Sequence, residues 1–126
     1  MTTYEIGIKS SLLRLIEEEK KTVEIRLNRD KFQRFLPGDR LMFREDLWEN
    51  GKIIKSSATN LRATITKIDH FASLKAMLKK VSLSLISPKE TPEEFISTTL
   101  QFYPFENQQQ SGFVAIHFKL DSSSLK

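Results

Sequence analysis

The stretch Lys-Lys-Thr-Val-Glu-Ile-Arg at residues 20–26 decides how the rest of this sequence is interpreted. Polar and apolar side chains alternate from residue 22 to residue 27, and a period of two predicts a β-strand with one apolar and one polar face. The polar face carries Glu24 and Arg26, and Lys21 lies just before it. A guanidinium and an ammonium group placed beside a carboxylate can hold an anion. These three residues are therefore the leading candidates for a binding site.

The composition is that of one globular domain. The chain has 126 residues, of which 39% are hydrophobic and 29% charged, and this length allows a single core. It contains no cysteine, which excludes disulfides and thiolate metal sites. Neither a signal peptide nor an apolar run of membrane-spanning length is recognisable, so we expect a cytoplasmic protein without a membrane partner.

Positive charge is concentrated around the motif. The formal net charge is +4, and residues 20–44 alone contain eight basic and three acidic residues. Such a bias is compatible with binding to nucleic acid, and equally with a solvated surface. Lys20 and Arg44, at the two ends of this segment, join the candidate ligand contacts.

The pattern of elements predicts an α+β fold. Strands are expected at residues 4–8, 22–27, 40–45, 61–68 and 112–120. Helices are expected after Ser10 or Ser11, from Ser73 to about Val81, and from Pro92. Residues 46–60 are predicted as a polar excursion centred on Asn50-Gly51 and Ser56-Ser57. Asn-Gly is a strong hairpin signal, although its flanks here are weakly apolar. Strands separated by helices, without a regular βαβ repeat, favour a small curled sheet or barrel.

The motif and the order of elements resemble the ASCH domain, a member of the PUA-like superfamily. The family motif G-x-K-x-x-E-x-R aligns with residues 19–26, where Lys21, Glu24 and Arg26 match and Glu19 stands in the glycine position. The family pattern is also matched in a turn (Gly38-Asp39), at a strand end (Ile65 to Phe71), at a helix end (Tyr103) and in the last strand (Gly112 to Phe118).

The resemblance implies a PUA-like curled β-barrel with flanking helices over residues 1–120, followed by a flexible polar tail at 121–126. It also implies a basic cleft around the motif that binds RNA or a nucleotide-like small molecule, without a cofactor. Trp48, in the polar excursion, and Tyr103 are candidates for stacking on a base, although the apolar helix stripe before Tyr103 favours core packing. The two histidines, His70 and His117, lack ligand spacing, so no metal site is predicted.

Two other functions stay open. A hydrolase could act on RNA or a modified nucleoside in the same cleft. Related amidohydrolases deacetylate N4-acetylcytidine with a lysine and a threonine of this strand; Lys21 is retained here, but Glu24 replaces the threonine. Since nucleophile and base must be within hydrogen-bond reach, we do not expect that deacetylation. The third possibility is a protein-interaction module with residues 46–60 as its contact.

Overall fold

A computed structural model of the chain describes residues 1–102 and 111–124. The described residues form five strands and four α-helices, supplemented by two short 3₁₀ helices. In chain order these elements are β1 (Thr3–Lys9), α1 (Ser10–Glu17), β2 (Val23–Leu27), a 3₁₀ helix (Asp30–Arg34), β3 (Arg40–Glu49), β4 (Lys52–Phe71), α2 (Leu74–Leu78), α3 (Leu83–Ile86), α4 (Pro92–Phe102), β5 (Phe113–Leu120) and a second 3₁₀ helix (Ser122–Ser124).

The strands form one curled sheet with the order β1-β3-β4-β5-β2. β1 and β3 are parallel, and the other neighbouring strands are antiparallel. The mixed α+β class is confirmed, but within the described residues β1 and β2 remain the two edges of an open sheet, so the closed barrel is not. Side chains bridge the gap instead: Arg26 Nη2 donates to the carbonyl of Gly7 at 2.6 Å and Lys31 Nζ to that of Glu5 at 2.5 Å.

Apolar side chains are buried on both faces of the sheet. One face of the sheet and α1 share one core, whose buried members are Ile6, Ile8, Leu13, Ile16, Phe35, Leu41, Phe43, Ala63, Ile65, Val114, Ile116, Phe118 and Leu120. Helices α2 to α4 cover the opposite face of β2 and β5, where Val23, Ile25 and Leu27 meet Met77 and Phe95. The predicted alternation in β2 and β5 is thereby confirmed.

Residues 46–60, predicted as a polar excursion with an Asn-Gly hairpin signal, form a long β-hairpin. Asn50 and Gly51 form its turn with φ of 52° and 76°, as a type I′ turn requires. The pairing register shifts between Leu47 and Trp48, and such a bulge re-aims side chains. Most of residues 50–60 are exposed, so no apolar alternation marks them as strand.

Two of the predicted helix starts are confirmed by their caps. The hydroxyl of Ser73 accepts from the N–H of Ala76 at 3.1 Å. Thr91 and Glu94 form the reciprocal capping box, with distances of 2.9 and 3.2 Å, before the proline that begins α4. α2 ends earlier than predicted, at Leu78. α1 begins at Ser10 without a side-chain cap, so capping by Ser10 or Ser11 is wrong.

After β5 the chain stays against the sheet. The carboxylate of Asp121 accepts from Arg40 and from the hydroxyl of Thr64, and the hydroxyl of Ser124 accepts from the N–H of Arg62. The division into a domain at residues 1–120 and a flexible tail at 121–126 stays a prediction.

A Schellman motif ends α1 and directs the chain into the candidate site. The N–H of Lys20 donates to the carbonyl of Leu15 at 2.9 Å, and that of Glu19 to the carbonyl of Ile16 at 3.0 Å. Glu19 adopts a φ of 59°, a left-handed conformation that usually belongs to glycine at this position. The turn therefore keeps its tight geometry with a glutamate in the glycine position of the motif.

Replacing Glu19 by Gly should raise the free energy of unfolding by up to about 1 kcal/mol. A left-handed non-glycine residue costs about 1–2 kcal/mol, and glycine returns about 0.5–1 kcal/mol of this through its greater freedom in the unfolded chain. The control is Glu17→Gly, which should lower stability by about 0.5–1 kcal/mol because Glu17 is helical. Urea unfolding of both variants provides the measurement. Equal destabilisation by both would show that the turn carries no strain.

Candidate functional site

A cleft of about 410 Å³ lies where β1, β2, the β3–β4 hairpin and the helices α3 and α4 meet. Five of the seven residues predicted from sequence line it: Lys21, Glu24, Arg26, Arg44 and Trp48. Lys20 does not line it; its side chain is 62% exposed and lies 3.7 Å from the carboxylate of Glu18. Tyr103 lies outside the described residues.

The ammonium group of Lys21 is fully engaged within the protein. Lys21 is 1% exposed, and its Nζ donates to the carbonyls of Val23 and Ile86 at 2.6 and 2.7 Å. Its third acceptor is Oε1 of Glu24 at 3.0 Å. An ammonium group has three N–H donors, so these acceptors satisfy it. Burial lowers the pKa of Lys21, and the charge of Glu24 partly offsets that effect.

The carboxylate of Glu24 joins the two cations of the motif. Its Oε2 accepts from Nε and Nη2 of Arg26 at 3.1 and 2.7 Å, and its Oε1 faces Lys21. The sequence predicted a polar face, yet Glu24 is only 8% exposed. The reason is the sheet register: Glu24 and Arg26 pair with Ile116 and Val114, so they extend the same face of the sheet that carries the first core.

Arg26 connects the two edges of the sheet. Besides Glu24, its Nη2 donates to the carbonyl of Gly7 on β1, and its guanidinium lies 5.5 Å from the ring centroid of Phe32. The side chain remains 21% exposed toward the cleft. Arg26 therefore fixes the shape of the cleft and also contributes to its surface.

A second ion-pair network forms the wall on the hairpin side. Arg44 donates through Nε and Nη2 to both carboxylate oxygens of Asp46 at 2.8 and 2.9 Å, and through Nη1 to Glu5 at 3.0 Å. Hydrogen bonding to Arg44 lowers the pKa of Asp46, and Ser56 adds a bond at 2.8 Å. A Cβ at Gly7 would overlap Oδ2 of Asp46 and Nη2 of Arg44, so a larger residue there would displace this pair.

The charges that line the cleft nearly cancel. Among the described residues that line it, four are basic (Lys9, Lys21, Arg26 and Arg44) and three are acidic (Glu24, Asp46 and Glu90). Of the eight basic residues in segment 20–44, only three line the cleft. The predicted basic cleft is therefore close to neutral, because its cations fold against carboxylates.

Sequence reasoning missed the wall contributed by α4 and the segment before it. Glu90 accepts from the hydroxyls of Ser87 and Thr98 at 2.6 and 3.2 Å, and Thr99 lines the same wall. The available signal was helical spacing: Thr98 and Thr99 follow the buried Phe95 at i+3 and i+4, positions that share its face. Gly7 and Asp46 had no local signal, since their roles depend on contacts between strands.

The remaining candidates lie elsewhere. Nε2 of His117 lies 3.0 Å from Oδ2 of Asp69, and neither His117 nor His70 lines the cleft. Within residues 1–102 and 111–124, no group of three or more potential metal ligands occurs. The same described ranges contain no helix that is long and apolar enough to cross a membrane.

Replacing Glu24 by Gln should lower the free energy of unfolding by about 3–5 kcal/mol at pH 7, because the buried ammonium of Lys21 loses its counter-charge. The control is Glu18→Gln, which removes an exposed partner of Lys20 and should cost at most about 1 kcal/mol. Urea unfolding at pH 7 checks both values. Equal, small losses would show that the Lys21–Glu24 contact does not stabilise the fold.

The same variant should change how stability depends on pH. Burial alone would raise the pKa of Glu24, but Lys21 and Arg26 outweigh it and hold the pKa at about 2, below the ordinary 4.5. A folded-state pKa below the unfolded one gives stability that is present above pH 4.5 and lost as pH falls toward 2. Glu24→Gln should lose less stability over that range than the parent protein. Parallel pH curves would contradict this.

Comparisons with known proteins agree with the fold. The chain matches the ASCH domain family over residues 6–121. The crystal structure of the hypothetical protein PH0355 has a TM-score of 0.78 and 28% identity, and covers 95% of this chain and 100% of its own. The solution NMR structure of protein PF0455 from Pyrococcus furiosus has a TM-score of 0.72 and 29% identity, and covers 96% and 99%. No functionally curated protein matches the chain. With the family matched over nearly its whole length, the chain belongs to the ASCH domain family of the PUA-like superfamily.

Proposed function

We propose that this protein binds RNA or a nucleotide-like small molecule in the cleft. The observation that carries the proposal is that five residues chosen from the sequence, spread from Lys21 to Trp48, converge on one cavity. Its volume of about 410 Å³ lies in the range of small-ligand pockets, about 300–1,000 Å³. Membership of the ASCH family supports RNA as the source of the ligand.

The walls of the cleft suit a nucleotide. Trp48 and Ile53 are paired across the hairpin and both line the cavity, which provides an aromatic side chain for stacking on a base. Opposite charges held at fixed distances by Glu24, Arg26 and Arg44 form polar edges that are already ordered before a ligand arrives. Such preorganisation reduces the entropy lost on binding.

The motif residues divide into two roles in this proposal. Arg26 retains exposed surface toward the cleft and contacts the ligand. Lys21 has its three N–H donors satisfied by protein acceptors, so it positions Glu24 and does not bind the ligand directly. Lys20 lies outside the lining, and we assign it no contact.

Replacing Trp48 by Ala should weaken binding of single-stranded RNA by about 5- to 150-fold, the loss of one base–aromatic stack worth about 1–3 kcal/mol. Leu47→Ala is the matched control, since Leu47 is the preceding residue of the hairpin, is 45% exposed and does not line the cleft. Fluorescence anisotropy with a labelled oligonucleotide measures both. Equal effects of the two variants would place the binding surface away from the cleft.

The protein should not release cytidine from N4-acetylcytidine at an enzymatic rate. Glu24 occupies the position of the threonine nucleophile in the related amidohydrolases, and its carboxylate is bound by Lys21 and Arg26. Chromatography of the nucleoside after incubation with the protein checks this. Rapid deacetylation that is lost in Lys21→Ala would replace the binding proposal by a hydrolase.

Chromatography of incubated single-stranded RNA checks cleavage in the same way. RNA breakdown that depends on cleft residues would also favour a hydrolase. If the protein neither binds nor cleaves RNA or nucleosides, a protein-interaction function moves ahead. Its contact would be the hairpin, where Leu47, Ile53 and Ile54 expose 44–54% of their surface.

A further inference from the structure

We propose that the cleft takes up an uncharged heteroaromatic ring of its ligand and leaves the ligand's phosphate at the rim, where Lys9 binds it. This inference rests on the proposed function and deepens it, because it states which chemical part of a nucleotide enters. The partners of the charged side chains that line the cavity support this inference.

Both motif cations already donate to protein acceptors, so a phosphate would have to compete with those acceptors. Lys21 donates to two backbone carbonyls and to Glu24, and it is 1% exposed. Arg26 donates to Glu24 and to the carbonyl of Gly7. Both cations share one buried carboxylate, and unpairing such a group costs several kcal/mol.

The third interior cation is engaged in the same way. Arg44 is bound bidentately by Asp46 and also contacts Glu5. A bidentate arginine–carboxylate pair already uses the planar donor geometry that a phosphate would need. A phosphate at this wall would therefore compete with two carboxylates of the same protein, Asp46 and Glu5, that already accept hydrogen bonds from this guanidinium.

Glu90 completes the balance. With it, three carboxylates (Glu24, Asp46 and Glu90) line the cavity against the three interior cations. A phosphate placed among them would bring further negative charge into a lining whose charges already cancel, and like charges at short range repel. The interior therefore favours an uncharged group that hydrogen-bonds at its edges.

The apolar part of the lining suits a flat ring. Six apolar side chains line the cavity, from both cores and from the hairpin: Leu12, Ile25, Trp48, Ile53, Ile86 and Phe95. A heteroaromatic ring presents apolar faces to such walls and polar atoms at its edge to the ion-pair networks. An aliphatic anion matches neither feature.

Lys9 lines the cleft in addition to the three interior cations. It is the last residue of β1 and is exposed. Among the residues that the structure describes, its ammonium group has no hydrogen-bond or ion-pair partner. A phosphate attached to a bound ring can therefore reach a cation at the rim without displacing any internal pair.

The test compares ribonucleosides with their 5′-monophosphates by isothermal titration calorimetry on the full chain. At least one nucleoside should bind, with an affinity that changes less than about 2-fold between about 50 and about 200 mM salt, because no phosphate contact is involved. Its monophosphate should bind about 2- to 5-fold tighter at the lower salt, the effect of one exposed ion pair.

Two variants locate that gain. Lys9→Gln should abolish the gain from the phosphate, so that this variant binds the nucleoside and its monophosphate with equal affinity. Lys20→Gln is the matched control: it removes an exposed lysine of the same region that does not line the cleft, and it should keep the gain. Both positions are exposed, and circular dichroism confirms that each variant is folded.

Three results would overturn the inference while the proposed function stands. They are binding of monophosphates or RNA without binding of any nucleoside, displacement of a bound nucleoside by inorganic phosphate, and a phosphate gain that survives Lys9→Gln. If nucleosides, monophosphates and single-stranded RNA all fail to bind, the proposed function is wrong and the inference fails with it.

Discussion

The buried carboxylate of Glu24 is the group on which the rest of the structure depends. Through Lys21 it is linked to the carbonyl of Ile86 at the end of α3, and through Arg26 to the carbonyl of Gly7 on β1. One side chain thereby ties the covering helices and both edges of an open sheet together. A backbone ladder between β1 and β2 would close the sheet; the side-chain network bridges the edges and leaves a cleft.

This arrangement combines two roles that charged residues on a strand can have. An ion pair that only stabilises a strand face can be buried. Charges that bind a ligand must instead be exposed to it. Here Lys21 and Glu24 are buried, whereas Arg26 is partly exposed. Buried ion pairs contribute little net stability compared with apolar packing, so the shape they impose on the cleft is their main consequence.

Local sequence patterns predicted what local physics determines. Alternation located β2 and β5, and the capping residues Ser73 and Thr91 located the starts of α2 and α4. The Asn-Gly pair signalled the turn of the hairpin at residues 46–60, but its strands were not assigned, because they are largely solvated and carry no periodic signal. Likewise, no spacing within the motif could reveal that the carbonyl of Ile86, 65 residues away, accepts from Lys21. Burial of the motif is a property of the assembled sheet and not of the strand.

Net charge illustrates the same limit most clearly. The positive charge of the chain suggested an anion-binding cleft, yet most basic residues of segment 20–44 lie outside the cavity, and those inside are paired with carboxylates. Paired charges keep their directed hydrogen bonds while losing their long-range field. Under the proposed function, such a cleft selects its ligand by shape and by the positions of donors and acceptors. Its specificity then depends on contacts such as Glu24–Arg26 and Arg44–Asp46 and not on the isoelectric point.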